Sequence, residues 1–266
     1  MGLFKTTGII IKQINYDEAD KILTILTKDH GKIQALAKGA RKTNNRFLAS
    51  TQLFCYSNFI FYQGKSMNYI NQAELRESFY NLRKNLKDFT YASYIIELIN
   101  AATQEQQKEE KYFFLLIHTL KHMTYTKEID LDIITLAFQV KLMALSGYAP
   151  HLDDCVVCGN SIQYNMKISS ELGGVICPQC FQQDSYAMGI NKDAKEVLSF
   201  ILHKPLSNLN QLVKKDSIIR QLNKIMYNYV SKYMERSFHT LNFLNIIDNN
   251  ILNNKGNKNK GDEKNG

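Results

Sequence analysis

Apolar and polar residues alternate with a period of two along the first third of the chain and with a period of three to four along most of the rest. The run Asp20-Lys21-Ile22-Leu23-Thr24-Ile25-Leu26-Thr27 is β-rich, Lys28-Asp29-His30-Gly31-Lys32 makes a turn, and Ile33-Gln34-Ala35-Leu36 alternates, which together predict a hairpin. An aromatic-rich strand follows over residues 53–62, closed by Gln63-Gly64-Lys65, and residues 68–75 predict another. About five short strands between residues 3 and 77 predict a small closed barrel, because closure removes exposed strand edges.

Beyond residue 79 the period lengthens. Leu82, Leu86, Phe89, Ala92, Ile96 and Ile99 share one face, predicting a long amphipathic helix that leaves the barrel near Tyr80. Polar residues 103–111 interrupt it; further helices are predicted over 112–123 and 129–145, the latter stopped by Ser146-Gly147 with Pro150 just beyond. After a cysteine-bearing stretch with Gly173-Gly174 as its turn come helices over about 191–203 and 216–238, the second with Asp216 as N-cap. Residues 253–266 contain only Asn, Lys, Gly, Asp and Glu and have no apolar group to offset their ordering entropy. The pattern therefore predicts an α+β multi-domain chain: a barrel over 1–80, a helical domain over 81–150, a cysteine finger over 151–184, C-terminal helices over 185–245 packing on the helical domain, and a disordered polar tail over 246–266.

Charge adds a partner class. A formal net charge of +8 on 266 residues points to a polyanion. Much of it is concentrated: Lys28, Lys32, Lys38, Arg41, Lys42 and Arg46 face Asp29 alone between residues 28 and 46. Within that stretch Lys38-Gly39-Ala40-Arg41-Lys42-Thr43-Asn44-Asn45-Arg46 reads as a loop whose glycine lets the backbone turn and whose side chains suit phosphates. A barrel with aromatic strands beside such a loop is the combination by which nucleic-acid barrels grip a single strand. No run of about twenty apolar residues is present to span a bilayer, so no membrane partner is expected, and five cysteines with four in metal-type pairs argue for a reducing, cytoplasmic interior.

Cysteine spacing adds a metal. Cys155-Val156-Val157-Cys158 and Cys177-Pro178-Gln179-Cys180 are two CxxC pairs separated by eighteen residues, the arrangement of a tetrahedral zinc site. Four thiolates saturate the ion, so one structural Zn2+ is expected rather than a catalytic one. His151, Asp153 and Asp154 read as solvated loop neighbours, and Cys55 as an inert core thiol. His118 and His122 lie four apart on a helix, but His118-Thr119-Leu120-Lys121-His122 lacks the glutamate of a metalloprotease. With no P-loop, no GxGxxG and no nucleophile elbow, no catalytic residues are assigned and the chain is not expected to be an enzyme.

These pieces together resemble the bacterial RecO family of DNA repair and recombination mediators. The likeness is carried by Tyr16-Asp17-Glu18 through Asp20-Lys21-Ile22, Gly31-Lys32, Ala37-Lys38-Gly39-Ala40-Arg41-Lys42, Arg46-Phe47, and the segment Tyr91-Ala92-Ser93-Tyr94-Ile95-Ile96-Glu97-Leu98. Gly147-Tyr148-Ala149-Pro150, Cys155-Val156-Val157-Cys158-Gly159, Gly173-Gly174 and Cys177-Pro178-Gln179-Cys180 complete it. The resemblance implies an N-terminal OB-fold barrel, then a helical domain with an inserted zinc finger. It also implies a nucleoid-associated protein that binds single- and double-stranded DNA and anneals complementary strands. With a RecR partner it would help load RecA onto DNA coated by single-stranded DNA-binding protein, whose C-terminal tail it also contacts. The expected DNA contacts are Lys38, Arg41, Lys42 and Arg46, with Lys32 and Lys21; the expected metal ligands are the four cysteines. Asn45 stands where the family has serine, and the family's proline after the loop is replaced around Leu53-Phe54, which implies altered loop geometry. The rival readings are an RNA-binding or ribosome-associated barrel protein and a zinc-dependent nucleic-acid enzyme.

Overall fold

The computed structural model describes residues 2–126, 128–212, 215–238 and 240; the tail expected over 246–266 lies outside them. Strands β1 (Leu3–Tyr16), β2 (Asp20–Thr27), β3 (Gly31–Ala37), β4 (Tyr56–Gln63) and β5 (Asn68–Glu77) close into an OB-like barrel in the order β1-β2-β3-β5-β4. Neighbouring strands are antiparallel except β3 and β5, which are parallel. Alternation gives the Ile9-Ile10-Ile11 run two destinations. Ile10 joins Leu23, Ile25, Ile33, Phe59 and Phe61 inside the barrel, while Ile9 and Ile11 face a second core built mainly by the helices.

Strand β4 begins at Tyr56, three residues later than the sequence pattern predicts. Fully buried Phe54 adopts a left-handed backbone (φ 71°), and its N–H donates to the Ile10 carbonyl at 3.1 Å, so residues 53–55 form a turn. The helix expected from Tyr80 is likewise divided. A 3-10 turn covers Tyr80–Arg83, and α1 (Leu86–Ala102) starts afresh because Asn85 is extended and its side chain accepts from the Asp88 N–H at 2.8 Å. Helices α2 (Glu110–Tyr125), α3 (Leu131–Leu145), α4 (Lys192–His203) and α5 (Asp216–Tyr233) follow, and α3 packs against the other four. Asp216 is the first residue of α5 rather than its cap; Lys215 holds that place without a side-chain bond. The carboxylate still lies in the first turn, where the helix dipole favours it.

Between α3 and α4 lies a small sheet of β6 (Met166–Ser169), β7 (Gly174–Ile176) and β8 (Met188–Ile190), ordered β7-β6-β8. It continues past residue 184, the end predicted for the finger. Its buried Met166, Ile168, Val175 and Ile176 belong to the helical core. Among the described residues no helix is long and apolar enough to cross a membrane.

Lys32 ties the barrel to the helices. Its ammonium is buried and donates to the carbonyls of Asn100 (2.8 Å) and Thr103 (2.7 Å) and to Asn100 Oδ1 (3.1 Å), so a cation from β3 satisfies the C-terminal end of α1. Burial lowers its pKa, partly opposed by Glu105. All three protons are engaged within the protein. Lys32→Met should therefore destabilise the fold by about 2–3 kcal/mol in urea unfolding, the scale of a charge-assisted hydrogen-bond set, with DNA affinity intact. A stable variant with weakened DNA binding would return Lys32 to the interface.

Candidate nucleic-acid groove and metal centre

The basic loop is held by its own small residues. Gly39 is left-handed (φ 66°), its N–H donates to Asp20 Oδ1 at 2.7 Å, and a side chain there would meet the Asn45 amide at 2.6 Å. Asn45 spans the loop, donating to the Lys38 carbonyl (3.2 Å) and accepting from the Phe47 N–H (2.7 Å). Asn45 is thus the loop's clasp, and the glycine makes room for it in addition to turning the chain.

Lys38, Arg41, Lys42 and Arg46 are all exposed. Arg46 donates to the Asn71 carbonyl at 2.8 Å and lies over Phe47, with its Cζ 4.7 Å from the ring centre. Arg41 donates to the Asp17 carbonyl at 2.9 Å, fastening the loop to the β1–β2 turn. Lys21 is buried, with its ammonium on Gln13 Oε1 at 3.1 Å; burial and then the Arg41 charge lower its pKa.

The loop faces the β4–β5 hairpin across a groove of about 760 Å³, lined by Lys38, Asn45, Arg46, Phe47, Tyr62, Gly64, Lys65, Ser66, Tyr69 and Ile70. Three cations and no carboxylate line it. The register pairs Tyr62 with Tyr69, so their rings lie 6.5 Å apart, and Lys38 Nζ is 5.5 Å from the centre of Tyr69. Gly64 allows this: a side chain there would strike the Tyr69 ring at 2.7 Å and the Met67 carbonyl at 2.6 Å. Arg46 and Phe47 separate the groove from a cleft of about 730 Å³ where Lys5 and Lys28 are offset by Asp29 and Glu74.

Of the β4 aromatics, Phe59 and Phe61 lie inside the barrel, Tyr56 packs against Phe113 of α2, and Tyr62 is exposed. Tyr69 and Lys65 were not among the sequence-derived candidates. Strand alternation would have separated Tyr62 from Phe61, but Tyr69 enters only through the hairpin register.

The four cysteines come together. Their sulfurs all lie within 4.8 Å of one another, the one such group of possible metal ligands among the described residues. Cys158 and Cys177 Sγ are 3.7 Å apart; the edge of a tetrahedron with Zn–S arms of about 2.3 Å is about 3.8 Å. Each pair sits in a tight turn: the Gly159 N–H donates to the Cys155 carbonyl (2.8 Å), with Gly159 left-handed (φ 72°), and the Cys180 N–H to the Cys177 carbonyl (2.9 Å). The Cys177 N–H points at Cys155 Sγ, 3.4 Å away. Burial raises the Cys155 thiol, but the N–H groups of Cys177, Cys158 and Val157 outweigh it and hold its pKa at about 6. Burial and the neighbouring thiols push Cys180 up to about 12. Four thiolates need a cation in their midst, and the quartet could hold one.

His151 and Asp154 instead bind each other, Nε2 to Oδ1 at 2.7 Å, and His151 joins the finger through backbone bonds to Gly173 and Val175. Cys55 is buried, and burial raises its pKa. His122 is half-buried, its pKa lowered by burial and by His118; no third ligand joins the pair among the described residues.

Comparison with known proteins follows the same division. A family model described as recombination protein O N terminal matches residues 1–79, and one described as recombination protein O C terminal matches residues 83–242. The chain is 39% identical over 240 residues to the DNA repair protein RecO of Alkaliphilus metalliredigens, covering 90% of this chain and 97% of that protein. It is 35% identical over 248 residues to the DNA repair protein RecO of Acetivibrio thermocellus, covering 93% and 98%. The corresponding protein of Bacillus pumilus is 32% identical over 247 residues, covering 92% and 95%.

Proposed function

From the premise that this chain belongs to the RecO family of DNA repair proteins, we propose that it is a non-enzymatic mediator that grips single-stranded DNA in the Lys38–Tyr69 groove and anneals it to a complement. The observation that carries this reading is the groove's composition: cations of Lys38, Arg46 and Lys65 around the Tyr62 and Tyr69 rings, with no acid in the lining. Phosphates are neutralised by the cations while bases stack on the tyrosines, a mode that tolerates any sequence and leaves base pairing to select the complement. Arg41 and Lys42 extend the positive field beyond the groove, and double-stranded DNA is held through the same phosphate contacts. Annealing needs only charge neutralisation and reversible contact, so no nucleotide site is called for.

The cysteine quartet holds one Zn2+, with Cys155, Cys158, Cys177 and Cys180 as its ligands. A closed shell of four thiolates supplies folding energy and no open coordination position. The bacterial protein acts in the cytoplasm at the nucleoid, with RecR and with the tail of single-stranded DNA-binding protein, and through them promotes RecA loading. Strand annealing on DNA coated by the cognate single-strand-binding protein, with and without RecR, tests the reading. Acceleration is expected, greater with RecR; no annealing under either condition overturns it, and preferential action on structured RNA would favour the RNA-binding rival.

A further inference from the structure

A second aromatic and basic feature lies where the barrel meets the helices. Phe79 is a bulky residue in the left-handed region (φ 45°), a conformation that costs on the order of 1 kcal/mol or more. It persists because the ring is fully buried and its N–H donates to Glu77 Oε1 at 3.1 Å, while the next N–H, of Tyr80, donates to Ser78 Oγ at 3.3 Å. The resulting turn carries Tyr80 outward, 58% exposed. Two cations attend its ring: Lys84 Nζ lies 5.1 Å and Arg83 Cζ 5.6 Å from the centre. Arg83 is fixed there by hydrogen bonds to the carbonyls of Leu53 (2.6 Å) and Ser78 (2.8 Å). The nearby acid, Glu77, accepts from the Phe79 N–H and the Tyr125 hydroxyl, so two cations stand against one carboxylate beside Tyr80.

An exposed aromatic face between fixed cations, presented by a strained backbone, suits a flat ring that carries negative charge beside it. We propose that Tyr80 is a second base-stacking platform, at which a nucleobase of another single strand lies on the tyrosine while Lys84 meets its phosphate. The proposal rests on the reading of the barrel groove as a DNA site. Register places the two sites apart: Tyr69 pairs with Tyr62 at one end of β4, and Glu77, three residues before Tyr80, pairs with Tyr56 at the other. Six residue steps of strand lead from Tyr56 to Tyr62, about 20 Å, farther than two or three nucleotides reach. A short oligonucleotide in the groove therefore leaves the platform open, and one chain holds two strands at once, the arrangement that annealing requires.

The chain has no tryptophan, so Tyr80→Trp and Tyr62→Trp each place a single indole at one site. Titrated with three-nucleotide oligothymidylate, both variants are expected to show quenched indole emission, at two oligonucleotides per chain. Tyr80→Ala is expected to leave quenching of the Tyr62→Trp reporter unchanged when the two are combined, and to slow annealing about tenfold, as loss of one stacked base implies. Anisotropy of the labelled oligonucleotide separates the possible failures. Saturable binding with a silent indole at position 80, or Tyr80→Ala annealing at the parental rate, overturns the platform and spares the groove. Absence of any binding removes the DNA reading itself, and the platform with it.

Discussion

Chelating the metal should unfold the module around the cysteines while the barrel stays folded and keeps its affinity for single-stranded DNA. Structural zinc contributes about 10–16 kcal/mol at neutral pH, against a total stability of roughly 5–15 kcal/mol for an ordinary domain. Apart from the metal, the module rests on side chains such as Met166, Ile168, Val175 and Ile176, which are buried in the helical core. Strands β6, β7 and β8 are only 4, 3 and 3 residues long, at the short end of the usual range, so their own ladder contributes little beyond the metal and the helical packing. The barrel has its own interior, with Ile10, Leu23, Phe59 and Phe61 buried away from the helical core. Amide exchange after chelation is expected to rise across residues 151–190 and to spare β1–β5; loss of barrel protection in step with the module would show one cooperative unit instead. A single substitution sharpens the test. Cys158 is exposed, and a surface change of that kind ordinarily shifts stability by about 0.5 kcal/mol or less. As a metal ligand, Cys158→Ser should cost several-fold more and abolish metal retention. Retention also has a definite pH direction: thiolate ligands take up protons as pH falls, so the metal should be released on acidification and retaken on return to neutrality.

Much of this architecture is legible in the chain because its signals are local. The two CxxC turns need only their own glycine, proline and backbone bonds, and the five strands declare themselves through alternation around tight turns. What escapes the sequence depends on partners far along the chain. Lys32 and Lys38 belong to one basic run, yet Lys32 is claimed by carbonyls at residues 100 and 103, whereas Lys38 reaches Tyr69 across the groove. Nothing near either lysine distinguishes them. Phe54 and Phe79 read as a strand residue and a helix lead-in, but each is left-handed with a fully buried ring. Their tertiary burial outweighs local preference, and at Phe54 it cuts short the strand that periodicity extends through it. The basic groove is half legible for the same reason: its loop is contiguous, but its aromatic wall depends on a strand register that sequence alone does not give.

Replacing Lys38, Arg41, Lys42 and Arg46 together by glutamine should weaken single-stranded DNA binding by about a thousandfold at 50 mM salt and flatten its salt dependence. Each phosphate neutralised on a single strand contributes about 0.7 to the slope of log affinity against log salt, which at 50 mM is close to tenfold in affinity. Removing three or four of these cation–phosphate pairs should therefore lower the slope by about 2–3. Single variants apportion the loss. Arg46→Gln also removes the bond to the Asn71 carbonyl and Arg41→Gln the bond to Asp17, so both disturb the loop, whereas Lys42→Gln, exposed at the turn, should remove charge alone. Tyrosine substitutions separate stacking from charge. Tyr62→Ala and Tyr69→Ala should each cost about 1–3 kcal/mol of binding with the slope unchanged, because a stacked base releases no counterion. Lys32→Met should change neither slope nor affinity, since its ammonium is committed to the end of α1. A parental slope in the fourfold variant would mean that the phosphate path runs over another face of the protein, and the tyrosine variants would then be expected to bind normally as well.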